Sequence, residues 1–394
     1  MSTPPPPTRL ICAMVHDERA AGRRLLFVTN GHGEDSIAAS LIARLPPSVG
    51  AAAFPVVGAG SAFAGICPIV GPRSQVPSQG WRNVKGSLRR DLAAGSLGTV
   101  PPMLAFLRQA KAQYDTIVVV GDFLGVALGW LAGLKGMVWL DVYRTGHGRL
   151  YGRLERLIAA RCCAMAFCRH QVLAQQLEAV GIAASAPGNL MLDTVPYGTY
   201  DAQAVRGDRL AVTLLPGSRH FTDESFALQV AALRRVAAPI RPVAFLAVAG
   251  GIDPEALGQA AGLQFDSAPA DTGALGTLSD AHLTIHAVRG SMGTLVTASD
   301  FVLSQAGTAT VQALGLGRPV LTFRHARDRA SRFADEQALF GDGRVVTSFD
   351  ADELARAIRH LLTDPDDRKR RGQIGQDRVG QPGAMARIVA ALTA

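Results

Sequence analysis

The stretch SQAGTATVQALGLGRP, residues 304–319, follows a short apolar run, ASDFVL, that ends at Leu303. A strand that ends in a Gly-Thr-Ala-Thr turn and feeds a helix builds a cradle for phosphate. Gly307 lets the backbone approach a ligand, and the first helical turn offers free N–H groups at the positive end of its dipole. The helix closes at Gly315 and Gly317, and Pro319 opens the next apolar run, Val320 to Phe323. Strand, loop, helix, strand is the repeating unit of an α/β domain that binds ligands at its sheet edge.

The same pattern extends in both directions. Upstream in this half, Ala211–Leu215 and Val243–Val248 read as buried strands, Asp223–Val236 as a helix, and Leu283–Ala287 and Phe301–Ser304 as further strands. Asp350–Leu362 and Gly383–Thr393 read as closing helices, the first with Asp352 and Glu353 in its opening turn as the dipole favours. The first half shows strands at Leu25–Thr29, Phe54–Val57, Thr116–Val120 and Met137–Leu140, a helix after Asn30, and one or two helices over Leu150–Val180. Ala186–Tyr200 is rich in Gly and Pro and reads as the linker. The pattern predicts two doubly wound α/β domains around a cleft: a disordered lead over 1–23, an N-terminal domain over 24–193, a C-terminal domain over 194–375 and a C-terminal helix within 376–394, whose return to the N-terminal domain is implied only by the resemblance described below.

Composition narrows the class. The 394 residues are 48% hydrophobic and 18% charged, which favours large buried cores over disorder. Residues 1–195 carry 19 Lys/Arg against 11 Asp/Glu, whereas residues 196–394 carry 21 of each, so the whole net charge of +8 lies in the first half. That asymmetry suggests different partners for the two halves, the basic one suiting phosphate or anionic lipid. Basic and aromatic residues do not interleave, which argues against nucleic acid. The five cysteines (12, 67, 162, 163 and 168) have no paired spacing for zinc or disulfides and read as reduced thiols of a cytosolic protein. The longest apolar region, Ile117–Leu140, contains Asp122, Lys135 and several glycines, and reads as strand–helix–strand rather than a membrane span.

Several loops carry candidate chemistry. LLPGSRH (214–220) sets Gly217, Ser218 and Arg219 at the end of a strand, where a hydroxyl and a bidentate guanidinium can grip phosphate. The loop from His286 to Met292 can hold a base or ribose through its backbone. NGHGED (30–35) opens a helix with His32, Glu34 and Asp35 placed for acid–base work, although Asp35 equally suits a helix N-terminus. NGHGED lacks the third glycine of a dinucleotide fingerprint, which argues against NAD. Asp122, directly after TIVVVG, is placed either to take a proton from a substrate hydroxyl or to cap the following helix. Trp81, Arg82, Lys85, Arg89 and Arg90, like Arg149, Arg153, Arg156 and Arg161 among leucines, suggest basic amphipathic surfaces for an anionic membrane.

The pairing of LLPGSR with AGTAT–helix–GLGRPV resembles the lipid-A-disaccharide synthases and, more loosely, the lipid-linked peptidoglycan N-acetylglucosaminyltransferases. NGHGED, VGDF and GNLMLD (188–193) look most like the lipid-A-disaccharide synthase-related branch, and the similarity spans roughly residues 25–392. The resemblance implies a GT-B fold: two Rossmann-like domains, the last helix crossing back onto the first. It implies a cytoplasmic enzyme peripheral to the inner membrane, with a UDP-sugar bound in the C-terminal domain and a lipid-linked acceptor in the basic N-terminal domain. No metal or other cofactor is implied, and a homodimer is among the expected partners. Carried over by motif, Gly217, Ser218, Arg219, Gly307, Thr308 and Ala309 would hold the diphosphate. Met292 would lie near the uracil, and Asp122 would serve as base with His32 or Asp35 orienting or replacing it. The synthase pattern has glutamate where this chain has Gln312, whose amide can still bond a ribose hydroxyl. The fold also hosts UDP-sugar 2-epimerases and is compatible with a weakly active UDP-sugar-binding protein, so these are the alternatives to a hexosyltransferase.

Overall fold

The run TIVVV (Thr116–Val120) is β-branched and buried at every position, the signature of a central strand of a parallel sheet covered on both faces. In the computed structural model, which describes residues 22–73, 96–146, 150–218, 221–269, 272–326, 328 and 330–394, this run is β3 of a six-stranded parallel sheet. The strands are β1 (Arg24–Thr29), β2 (Gly50–Pro55), β3, β4 (Met137–Leu140), β5 (Cys163–Phe167) and β6 (Ala183–Ser185), in the order β2-β1-β3-β4-β5-β6. Helices α1 (His32–Ile42), α2 (Val100–Ala110), α3 (Phe123–Leu131), α4 (Arg153–Cys162) and α5 (Gln171–Glu178) cover it. Alternation along β1 divides the core. Leu26 and Val28 join one buried cluster with Val119 and Trp139, while Leu25 and Phe27 join the other with Val118 and Leu140. The strand order reverses between β1 and β3, so the loops at their C-terminal ends diverge and leave a crevice.

A four-residue turn, α6 (Leu190–Asp193), leads to the second sheet, ordered β14-β13-β12-β7-β8-β11-β10-β9. Its strands are β7 (Ala211–Leu215), β8 (Val243–Ala247), β9 (Gln264–Ser267), β10 (Gly276–Ser279), β11 (Thr284–Val288), β12 (Phe301–Ser304), β13 (Val320–Arg324) and β14 (Arg344–Ser348). Helices α7 (Ala202–Arg206), α8 (Thr222–Arg234), α9 (Pro254–Ala260), α10 (Met292–Ala298), α11 (Thr308–Gly315), α12 (Ala330–Phe340), α13 (Ala351–Thr363) and α14 (Pro365–Val379) accompany it. Here too the order reverses at the first strand, with β7 between β12 and β8. One end of this sheet is not parallel: β10 runs antiparallel to both β11 and β9.

Helix α15 (Ala384–Thr393) returns to the first domain. Its Met385, Ile388 and Leu392 are buried in the cluster that holds Leu25, Phe27 and Leu140. The run Ile117–Leu140 is strand–helix–strand, and among the described residues no helix is long and apolar enough to cross a membrane. The one or two helices expected over Leu150–Val180 are two, α4 and α5, and the unexpected element is β5 between them, where CAMAF fills the sheet position beside β4.

Candidate functional site

A cavity of about 690 Å³ opens at the C-terminal edge of the second sheet. Its floor is made by the loops that leave β7 and β12, the two strands at the reversal point. Gly217, Ser218, Met292, Gly307, Thr308, Ala309 and Gln312 all line it, so the C-terminal candidates visible in the sequence converge on one site. Gly217 has φ +107°, a conformation that side-chain-bearing residues rarely adopt, and this turns the β7 loop back toward α8. Arg219 lies outside the described residues.

Polar side chains hold the opposite loop in shape. The Ser304 and Thr310 hydroxyls are 2.6 Å apart, and Thr310 Oγ1 donates to the Ala306 carbonyl at 2.5 Å. The Ala306 N–H donates to Ser304 Oγ at 3.2 Å. Gln305 Nε2 donates to Thr322 Oγ1 at 3.0 Å and to the Phe323 carbonyl at 2.8 Å, tying the turn to β13. In SQAGTAT the polar residues Ser304, Gln305 and Thr310 are therefore spent on scaffolding. Gly307 to Ala309 are left at the mouth of α11, whose first-turn backbone N–H groups have no intrahelical acceptor and can serve a ligand in the cavity.

The far wall was not legible from motifs. His325, Asp328, Phe333, Glu336 and Arg344 line it. His325 stacks on Phe221 with ring centroids 4.6 Å apart and 12° between planes, and its Nε2 lies 2.9 Å from Glu224. Phe221 is the one non-glycine residue with positive φ among those described, at 69°, so the strained backbone sits at the cavity wall. The buried Arg344 guanidinium is paired with Glu336 at 3.0 Å, bonds Gln337 Oε1 at 2.9 Å and lies over the Phe333 ring at 4.5 Å. Burial lowers its pKa, and the Glu336 carboxylate works against that shift.

In the first domain, Asp122 caps α3: its Oδ1 accepts from the Leu124 N–H at 2.9 Å and from Asn30 Nδ2 at 2.6 Å. The capping contact is thus real, and the same carboxylate stands at the reversal point between β1 and β3. Asp35 is 0% exposed, its Oδ1 accepting from Thr29 Oγ1 at 2.5 Å, so its carboxylate is held against β1 in the interior rather than at the surface. His32 begins α1. Neither Asp122 nor Asp35 lines the large cavity, which belongs to the other domain. The membrane candidates Trp81, Arg82, Arg89 and Arg90 lie outside the described residues.

A second buried carboxylate carries no motif that singles it out in the sequence. Asp141 follows β4 as Asp122 follows β3. Its Oδ1 accepts from the Tyr143 and Arg144 N–H groups at 2.9 and 3.0 Å, and its Oδ2 accepts from the Tyr151 hydroxyl at 2.5 Å. Burial raises its pKa against the opposing effect of these hydrogen bonds and of Arg144. Burial likewise pushes the neighbouring Arg169 down to about 10, with Asp141 acting the other way. The signal was available, a strand running straight into an aspartate, but nothing in the sequence said that the loop would fold over it.

Comparison with known proteins places the architecture. The chain matches a UDP-GlcNAc 2-epimerase from Neisseria meningitidis bound to UDP-GlcNAc (13% identity, TM-score 0.57, covering 94% of this chain and 99% of that one). It matches MurG of Acinetobacter baumannii (14%, 0.57, 94% and 98%) and the calicheamicin glycosyltransferase CalG4 (15%, 0.59, 94% and 97%). No family model and no curated protein matches. At such identities the likeness establishes the fold, GT-B, with two Rossmann-like α/β domains.

Proposed function

We propose that this chain is a metal-independent glycosyltransferase that moves a sugar, with acylated glucosamine a candidate, from a UDP-sugar to a lipid or lipid-linked acceptor at a membrane face. The carrying observation is the cavity at the reversal point of the second sheet, where two strand-to-helix loops and the mouth of α11 converge. In this reading the loop backbone, Ser218 and Thr308 bind the diphosphate, Met292 borders the base and Gln312 takes a ribose hydroxyl. Arg219 joins the diphosphate by resemblance. The acceptor oxygen bonds to the anomeric carbon as the bond from that carbon to the diphosphate oxygen breaks. The acceptor proton passes to Asp122, and the charge left on UDP is met by the α11 N-terminus.

A lipid acceptor is favoured by the surface of the first domain. On α4, Arg153, Leu154, Leu157 and Arg161 point outward, with Leu154 69% and Leu157 52% exposed. Trp130 and Leu131 are exposed at the end of the adjoining α3. Apolar side chains flanked by arginines suit the headgroup region of an anionic bilayer.

A second reading, a UDP-sugar 2-epimerase, draws on His325, Asp328 and Glu336, which gather on one wall of the cavity. Incubation with a panel of UDP-sugars, with and without anionic vesicles carrying lipid acceptors, separates the readings. Lipid-dependent UDP release supports transfer. A changed UDP-sugar without lipid supports epimerisation, and calorimetric UDP binding without turnover supports a binding protein.

A further inference from the structure

The motif GNLMLD (188–193) is not absorbed by the cavity, yet it is where the two domains are laced together. Leu190 is buried in the first domain's core and Leu192 in the second's. Asn189 donates from its backbone N–H to the Gln381 carbonyl at 2.9 Å and from Nδ2 to the Val379 carbonyl at 2.9 Å. The Asp193 carboxylate accepts from the N–H groups of Gly383 at 2.5 Å and Met385 at 2.7 Å. Both chain crossings between the domains are thus tied to the single turn α6.

Gln312 joins this junction to the cavity. It sits on α11, is 5% exposed and lines the cavity wall. Its Nε2 donates to the Met191 carbonyl at 2.8 Å and lies 3.4 Å from Thr194 Oγ1. A carbonyl can only accept, so the amide nitrogen must be the atom that faces Met191. With Nε2 engaged at the junction, the amide oxygen is the polar atom this side chain can offer to a ligand in the cavity it lines. One turn along the helix, Gly315 makes room for the junction: a Cβ there would lie 2.2 Å from Leu192 Cδ2.

We infer that Gln312 is a positioning residue that couples ligand in the cavity to the interdomain junction, its N–H holding Met191 and its carbonyl receiving a ligand hydroxyl. The inference rests on the UDP reading above. A ligand that fixes the carbonyl also fixes the N–H, so occupancy steadies α6 and both crossings. Glutamate at this position would offer the ligand an acceptor but would set a carboxylate against the Met191 carbonyl, losing the tether. Glutamine is the residue that serves both sides.

Hydrogen–deuterium exchange of segments 189–196 and 380–386, with and without UDP, tests this on the full chain, alongside calorimetric UDP binding. In the wild type UDP should slow exchange of both segments roughly tenfold, the scale of one well-made hydrogen bond. Gln312→Glu should speed junction exchange without ligand by a similar factor and abolish its protection by UDP. Linkage requires UDP affinity to fall by the factor by which protection is lost. Gln312→Met, which keeps the volume, should loosen the junction equally and guards against a packing defect unique to the charged variant. UDP binding to the wild type with unaltered junction exchange, or UDP-dependent protection retained in Gln312→Glu, overturns the coupling and leaves the functional reading standing. Absence of UDP binding by the wild type overturns both.

Discussion

Asn30 Nδ2 donates to Asp122 Oδ1 across 2.6 Å, joining the loops that leave β1 and β3. The same oxygen caps α3 through Leu124 N–H, so Oδ1 is committed to structure, and Oδ2 accepts no hydrogen bond from the described residues. If Asp122 is the base, Asp122→Asn should lower lipid-dependent UDP release by about 10²–10⁴-fold. Asparagine is as good a cap as aspartate, so the fold should be kept. UDP affinity should stay within about twofold, because the diphosphate site lies in the other domain. Transfer undiminished in this variant would refute the role.

Gly307 faces open space: a Cβ built there meets nothing within 4 Å, and its φ of −81° suits any residue. Gly307→Val should therefore fold with an unchanged melting temperature while filling the approach to the α11 N–H groups. A loss of UDP affinity of at least tenfold is expected by calorimetry, and equal binding by the variant would move the diphosphate elsewhere.

Much of this architecture was legible because central parallel strands announce themselves. Thr116–Val120, Met137–Leu140, Ala211–Leu215 and Phe301–Ser304 are buried on both faces and carry dense apolar runs, so even their ends were readable. β2 spans Gly50–Pro55 where the apolar run predicts Phe54–Val57, since its alanines carry little strand preference. β5 was hidden for the same reason, its CAMAF being equally at home in a helix until the sheet claims it. The edge strands β6 and β9, and β10 beside β9, are short and partly exposed, and carry no strand signal of that kind. At the site, the glycine loops were visible as local patterns. The wall built from His325 and Arg344 was not, because its members come together only through β13, α12 and β14. Residue type also said nothing about direction: Asp35 turns into the core, and the Gln312 amide reaches the junction.

Asp141 predicts a pH effect on stability. Burial raises its folded pKa above the unfolded value of about 3.9. Between those two values the unfolded chain has released the proton and the folded chain retains it, so stability falls as pH rises through this window. Asp141→Asn has nothing to titrate there. Its oxygen can still accept from the N–H groups of Tyr143 and Arg144, and the Tyr151 hydroxyl can turn to Cys168 Sγ at 3.6 Å. The melting temperature of the variant relative to wild type should therefore rise from pH 4 to pH 7, each kcal/mol being worth about 2–4 °C in a domain of this size. A constant difference across that range would show that Asp141 ionises normally in the fold.

The exposed leucines of α4 give a test of the membrane reading. Leu154→Glu with Leu157→Glu removes apolar surface and adds negative charge to a basic face, yet touches no buried packing. Stability should change by less than about 1 kcal/mol. Co-sedimentation with vesicles containing anionic lipid should be lost, and wild-type binding should weaken with salt. Retention of vesicle binding by the double variant would remove α4 from the docking surface.

The last helix makes a prediction that spans the chain. Ile388 is 1% exposed and packs in the first domain's core, although it lies seven residues from the C-terminal end of the sequence inclusive of both positions. Ile388→Ala should cost about 2–5 kcal/mol through lost burial and the cavity left behind. All three tryptophans, Trp81, Trp130 and Trp139, fall in the N-terminal half, so tryptophan fluorescence reports on the first domain alone. Trp139 is fully buried in that domain, on the other face of the sheet from Ile388. The fluorescence melting transition should therefore fall by on the order of 10 °C for this substitution. UDP binding at 20 °C should persist, since the cavity is built by the other sheet. A transition at the wild-type temperature would mean that the terminal helix does not secure the first domain.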